Sequence, residues 1–215
     1  MSFKTLGLSE SVLRAVIEQG YEHPTPIQSQ VIPVIISGQD VMAVAQTGTG
    51  KTAGFTLPML HRLEPFASSS SSPAKHPIRV LVLTPTRELA AQVEESIKTY
   101  GRFLPLKTVV IYGGMPMGAQ VLQIQQGAEI VVATPGRLLD HVQQKSIQLN
   151  QVQMLVIDEA DRMLDMGFIQ DIRKIVALLP NQRQNLMFSA TFSGEIQQLA
   201  LTLLNNPTII QVARQ

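Results

Sequence analysis

Seven short segments of the chain are almost continuously apolar and rich in β-branched residues: 40–45, 79–83, 108–112, 130–133, 154–157, 185–189 and 208–212. Runs of that length, bounded by turn-forming residues, predict β-strands. Their apolar positions do not alternate with polar ones, so both faces of the sheet must be covered, as happens to parallel strands lying under helices. Between them, apolar residues recur at helical spacing over 10–19, 51–63, 88–100, 118–126, 169–179 and 194–204. Ser9 stands where an N-cap belongs, and Gly20 closes the first of these helices. Strand alternating with helix predicts an α/β fold, a doubly wound and mostly parallel sheet of about seven strands. Segment 67–77, ASSSSSPAKHP, has no apolar period and is predicted to be a flexible surface loop. Strands of one type continue on both sides of it, so a single domain over 1–215 is expected rather than a boundary there.

Composition narrows the chemistry. A chain of 215 residues, 45% of them hydrophobic, holds one sizeable core and is not disordered. With 17 Lys+Arg against 16 Asp+Glu the net charge is +1. Bulk electrostatics therefore cannot grip nucleic acid, and any such binding must use local, oriented groups. The absence of cysteine removes disulfides, thiolate metal sites and cysteine nucleophiles. Lys4, Glu10 and Arg14 interrupt the start of the chain, and no apolar run approaches the roughly 18 residues of a membrane span. A soluble, cytoplasmic protein without membrane contact is expected. His23, His61, His76 and His141 lack metal-ligand spacing and are read as surface or core residues.

The sharpest motif is Ala45-Gln46-Thr47-Gly48-Thr49-Gly50-Lys51-Thr52, directly after a predicted strand and opening a predicted helix, where a P-loop must sit. Gly48 and Gly50 let backbone N–H groups turn toward phosphate oxygens, and the helix N-terminus adds partial positive charge. Lys51 would reach the β and γ phosphates, and the Thr52 hydroxyl would hold Mg²⁺. Ala45 stands in place of the first glycine usual in such loops. Asp158 and Glu159 follow another apolar strand, and in a parallel sheet that end faces the crevice of the P-loop. Asp158 can then hold Mg²⁺ and Glu159 can orient and deprotonate an attacking water; alone, the pair would equally suit an acidic first turn of a helix. LVLTPTREL at 81–89 and VVATPGRLL at 131–139 repeat one pattern: strand, Thr-Pro, a small residue, Arg, then helix.

These motifs, with Gly20-Tyr21-Glu22-His23-Pro24-Thr25-Pro26-Ile27-Gln28, Pro85-Thr86-Arg87-Glu88-Leu89, Gly113-Gly114, Thr134-Pro135-Gly136-Arg137, Asp158-Glu159-Ala160-Asp161 and Ser189-Ala190-Thr191, occur in the order found in DEAD-box ATP-dependent RNA helicases of the bacterial type. The chain resembles the N-terminal RecA-like domain of that family over nearly its whole length. The resemblance implies a P-loop NTPase fold of RecA type, ATP and Mg²⁺ as cofactors with ADP or AMP as product or analogue, and RNA unwinding coupled to ATP hydrolysis. It makes 1–39 the adenine-recognition segment. Gln28 can bond the adenine edge, Tyr21 offers a ring for stacking, and Thr25 with Pro26 fixes the turn. Phe3 either extends that pocket or is a core phenylalanine. Residues Gln46 to Thr52 hold the phosphates, and Lys51, Asp158 and Glu159 carry the chemistry.

By the same resemblance Pro85, Thr86, Arg87, Gly113, Gly114, Thr134, Pro135, Gly136 and Arg137 grip one RNA strand. Contacts to phosphate and 2′-OH alone make that grip sequence-tolerant. Taken singly, each Thr-Pro turn is also a routine helix start. Ser189 and Thr191 are expected to bond back to Asp161 and couple nucleotide state to strand separation. The family's second RecA-like lobe, with its arginine finger, has no counterpart before Gln215, so this chain is expected to bind nucleotide, hydrolyse it poorly and unwind nothing alone. Two other classes share these features: a small P-loop nucleotide kinase, which normally places its phosphate loop nearer the N-terminus than residue 45, and a non-catalytic RNA- or partner-binding module. The motifs select no particular RNA, pathway or oligomeric state.

Overall fold

The computed structural model describes residues 1–213. All seven expected strands form: β1 (Val41–Val44), β2 (Val80–Leu83), β3 (Thr108–Ile111), β4 (Ile130–Ala133), β5 (Met154–Ile157), β6 (Gln184–Ser189) and β7 (Thr208–Gln211). They make an all-parallel α/β sheet flanked by helices. The helices are α1 (Glu10–Glu18), α2 (Pro26–Ile36), α3 (Lys51–Leu63), α4 (Arg87–Tyr100), α5 (Met117–Gln125), α6 (Pro135–Gln143), α7 (Ala160–Asp165), α8 (Ile169–Val176) and α9 (Gly194–Leu203). Among the described residues none of these helices is long and apolar enough to cross a membrane. The chain forms two compact units, with the boundary passing inside α4.

The first unit holds Met1–Ala67, Glu95–Pro105 and the described residues from 185 on. Its strands lie in the order β6-β1-β7, with Val41 opposite both Leu186 and Thr208. The Asp40 carboxylate sets this register: it accepts hydrogen bonds from the Asn185 N–H (2.9 Å), Asn185 Nδ2 (3.1 Å) and the Asn205 N–H (2.7 Å). Ser9 caps α1 as expected, accepting from the Val12 N–H, and its own N–H donates to His61 Nδ1 at 2.9 Å. α2 lies where no helix is predicted, because its apolar residues form no single stripe and Pro33 sits inside it. Proline there removes one helical hydrogen bond; burial of Ile27, Val31, Ile32 and Ile35 offsets the loss, each apolar side chain contributing about 1.5–3 kcal/mol. Phe55 and Phe188, also fully buried, pack on each other with ring centroids 5.2 Å apart.

The second unit holds Ser68–Glu94 and Leu106–Gln184. Its strand order is β3-β4-β2-β5, with Val80 opposite Ile130 and Met154. β2, β4 and β5 are buried along their whole length, whereas β3 buries only Val109 and Ile111. Burial is thus continuous along the inner strands and alternates along the outer one, although its sequence is nearly as apolar as theirs. Thr84, Thr134 and Asp158 follow β2, β4 and β5, so three motif-bearing turns leave from the carboxyl end of one parallel array. Within 67–77 a 3-10 turn forms at Pro73–Lys75. His76 is buried there between the Glu129 carboxylate, which meets Nδ1, and the Ser70 carbonyl, 2.6 Å from Nε2.

Candidate functional site

In the first unit β1 runs into the glycine-rich loop, and three hydrogen bonds hold that loop open. The Ala45 N–H donates to the Ser189 carbonyl at 2.9 Å, Gln46 Nε2 to the Ala190 carbonyl at 3.3 Å, and Thr49 Oγ1 to the Gln46 carbonyl at 2.7 Å. Gly48 and Gly50 have φ of 86° and 84°, the left-handed region that favours glycine. A Cβ at Gly48 would point into open space at the loop's mouth. At Gly50 it would stand 2.5 Å from Gln28 Nε2, so a side chain there would displace the Gln28 amide as well as strain the backbone. α3 starts at Lys51 without a side-chain cap; Lys51 is buried and Thr52 half-buried.

Gln28 is tied into this loop. Thr25 and Gln28 form a capping box at the start of α2: the Thr25 N–H donates to Gln28 Oε1 (2.9 Å), and the Gln28 N–H to Thr25 Oγ1 (3.4 Å). Gln28 Nε2 donates its other bond across to the Gly50 carbonyl at 3.0 Å. Gln28 is itself buried, so its amide braces the loop from behind. A cavity of about 470 Å³ opens beside the loop, lined by Thr25 to Ile27, Gln46 to Thr49, Val212 and Ala213.

Tyr21 does not line it. Its ring is 55% exposed, and it lies near Tyr100, whose hydroxyl pKa is raised by burial first and by Tyr21 second. Phe3 is 4% exposed, so of its two expected roles the structure gives it the core one. The open glycine mouth, the uncapped helix start and the polar wall fit a phosphate chain. Among the described residues no group of three or more His, Asp or Glu side chains could cage a metal. Mg²⁺ at such a site must take much of its coordination from phosphate oxygens and water.

In the second unit the two Thr-Pro turns and the Gly113–Gly114 loop follow the carboxyl ends of β2, β4 and β3, with the β4 turn between the other two. In the first, the Thr84 hydroxyl donates to the Thr86 carbonyl (3.3 Å), and Thr86 Oγ1 accepts from the Leu89 N–H (3.3 Å), capping α4. Pro85 is buried. Arg87 is exposed, its guanidinium 5.6 Å from the Tyr112 ring centroid and beside Gly114, whose φ is 83°. In the second turn Pro135 is the first residue of α6 and Thr134 makes no capping bond. Gly136 is exposed, with open space where a Cβ would be. Arg137 is mostly enclosed, its side chain 14% exposed: Nη1 donates to the Met115 carbonyl (2.7 Å) and to Gln120 Oε1 (3.3 Å), and Nε lies 3.5 Å from the Asp140 carboxylate.

Asp158 is buried at the end of β5, its N–H donating to the Leu83 carbonyl at 3.0 Å. Glu159 takes left-handed φ and ψ of 59° and 48° and starts α7, with Asp161 in the first turn. A non-glycine residue in that region stores strain of the kind that gathers at functional sites. Ser189 ends β6 in the first unit, and its Oγ accepts from the Thr191 N–H at 3.3 Å. The bonds from Ala45 and Gln46 to this Ser-Ala-Thr turn were invisible in the sequence, because the partners lie 144 residues apart and nothing local marks them.

Residues 25–199 match the DEAD/DEAH box helicase family, and the chain belongs to it. The DEAD-box ATP-dependent RNA helicase RhpA of Helicobacter pylori is 45% identical over 212 residues, covering 99% of this chain and 41% of that protein. The DEAD-box ATP-dependent RNA helicase 52A of Oryza sativa is 47% identical over 224 residues, 99% of this chain and 37% of the relative. The RNA helicase CrhR of Synechocystis is 42% identical over 211 residues, 98% of this chain and 41% of the relative. The chain thus spans about two fifths of the length of these relatives.

Proposed function

We propose that the chain is the ATP-binding N-terminal lobe of an ATP-dependent RNA helicase and works in the cytoplasm. The observation that carries this reading is the Thr25–Gln28–Gly50 knot, which joins a base-sized cavity to a glycine loop shaped for phosphates. Gln28 fixes the loop through Gly50, and its amide is the group in this segment able to read an adenine edge; stacking on Tyr21, which lies outside the cavity, would require that ring to move in when nucleotide binds. The backbone of 46–50, Lys51 and the first turn of α3 hold the phosphate charge. Thr52 and Asp158 are the ligands this chain offers to Mg²⁺, which when bound neutralises phosphate charge. Glu159 orients water and accepts its proton.

The turns around Thr86, Gly113, Gly114 and Gly136, with Arg87 and Arg137, take RNA backbone phosphates without reading bases. Asp161, Ser189 and Thr191 couple the two events. Ser189 and Ala190 already anchor the phosphate loop, which supports a role for that turn in sensing its state. Rapid hydrolysis and duplex unwinding belong to the protein completed by a second RecA-like lobe.

Titration calorimetry with ADP and AMP tests the site. Lys51→Ala and Gln28→Ala should each weaken ADP binding about tenfold or more, and only Gln28→Ala should weaken AMP comparably, since Lys51 serves the distal phosphates. Unchanged affinity in both variants would refute the assignment.

A further inference from the structure

Behind the Gly113–Gly114 loop lies a buried polar group that none of the motifs contains. Gln120, on α5, is 5% exposed. Its Nε2 donates to the Tyr112 carbonyl at 2.9 Å, and its Oε1 accepts from Arg137 Nη1 at 3.3 Å and from His141 Nε2 at 2.9 Å. The contact with His141 fixes the tautomer: Nε2 carries the proton, and Nδ1, 2.8 Å from Ser146 Oγ, accepts. His141 is fully buried, and burial, then the Arg137 charge, hold its pKa below the ordinary value. The ring therefore stays neutral near pH 7 and pins the amide's orientation.

Both arginines of the repeated turns connect to this amide, one directly and one through a neighbour. Arg137 touches it directly. Arg87 reaches it through Tyr112, whose ring lies under the Arg87 guanidinium while its carbonyl is held by Gln120. Arg137 spends Nη1 on Met115 and Gln120, and among the described residues Nη2 has no hydrogen-bond partner. A polar side chain that is buried, satisfied at both ends and bonded to two functional elements over-determines their geometry.

We infer that Gln120, oriented by His141, is a positioning residue that sets the aim of both Arg87 and Arg137 toward the nucleic-acid backbone. The inference rests on the reading of this face as the RNA grip. It assigns the precision of that grip to a residue that never touches RNA.

The test measures binding of a fluorescent oligouridylate to the chain at low salt, alongside ADP binding and a thermal melt. Gln120→Met, which keeps length and packing but removes both hydrogen-bonding ends, should weaken oligouridylate binding about tenfold, the loss of one charge-assisted contact's geometry, and leave ADP affinity unchanged. Because the amide acts through the arginines, Arg137→Ala added to Gln120→Met should cost far less than it does alone, a non-additivity that mere destabilisation would not produce. Should Gln120→Met not fold, Gln120→Asn keeps both ends of the amide but shortens their reach by one methylene. It should weaken oligouridylate binding by a smaller factor, with Arg137→Ala again costing less on it than alone. Unchanged RNA affinity in Gln120→Met, with Arg87→Ala and Arg137→Ala both weakened, overturns the inference and leaves the RNA face standing. Unchanged affinity in both arginine variants sinks the RNA face and this inference together.

Discussion

The same stretch of sequence occurs twice in the second unit, strand then Thr-Pro-x-Arg, and the two copies fold differently. In the first, α4 starts at Arg87, and Thr86 supplies the oxygen that caps it. The helix begins at the arginine, which faces solvent over Tyr112. In the second, glycine stands at the position of Thr86, and no side chain there can cap. α6 instead starts two residues earlier at Pro135, whose fixed φ suits a first helical position. Arg137 then sits inside the first turn and folds back on Met115, Gln120 and Asp140. One side chain between proline and arginine decides where the helix begins, and with it whether the cation faces outward or braces the loop beside it.

Arg137→Ala gives the largest stability effect expected from breaking this contrast. It removes charge-assisted bonds to a carbonyl and an amide in an enclosed place, a loss of about 2 kcal/mol. In a chain of this size that lowers Tm by about 4–8 °C, whereas Arg87→Ala, at an exposed site, should stay within about 0.5 kcal/mol. Calorimetric melts of the two variants check the pair, and equal shifts would show that the two turns are equivalent after all.

The threonines sharpen the same comparison by a smaller amount. Thr86→Ala deletes a helix cap and should cost about 1 kcal/mol, while Thr134→Ala, which deletes no capping bond, should stay near zero. Urea denaturation of both variants reads the difference, and a Thr134→Ala loss equal to that of Thr86→Ala would contradict it.

The smallest effect is on pH. His141 beside Arg137 has a pKa lowered by burial and by the arginine charge, so the folded protein binds fewer protons there than the unfolded chain does. Its contribution is intact above the unfolded value of about 6.5 and is lost as pH falls below it. His61, lowered mainly by burial, acts in the same direction. Melts between pH 7.5 and 5.5 should show Tm falling with acid in the wild type. His141→Gln should flatten part of that slope, and an unaltered slope would remove His141 from the account.

Most of the architecture was legible because its signals are local. The seven strands announce themselves by unbroken β-branched runs, and the starts of α1 and α3 by Ser9 and by the glycine loop. α2 escaped, since Pro33 argues against a helix and burial around much of the helix leaves no polar stripe to read. The spacing of Thr25 and Gln28 carries a capping-box signature, yet a glutamine that both caps a helix and steadies a phosphate loop looks in sequence like a residue with one task. Phe3 had two roles open to it, and only its 4% exposure chooses the core.

The chain's own residues, read in order, determine which atoms follow the carboxyl ends of the strands: the glycine loop after β1, the acids after β5 and two arginines after Thr-Pro. Tertiary structure alone decides how those atoms are held. Gln46 meets Ala190, Gln28 meets Gly50, and Gln120 gathers Tyr112, Arg137 and His141. The physical reason is range: strand runs, caps and glycine turns are encoded by neighbours a few residues apart, whereas a buried amide is oriented by partners that only the crossovers of a parallel sheet bring within reach.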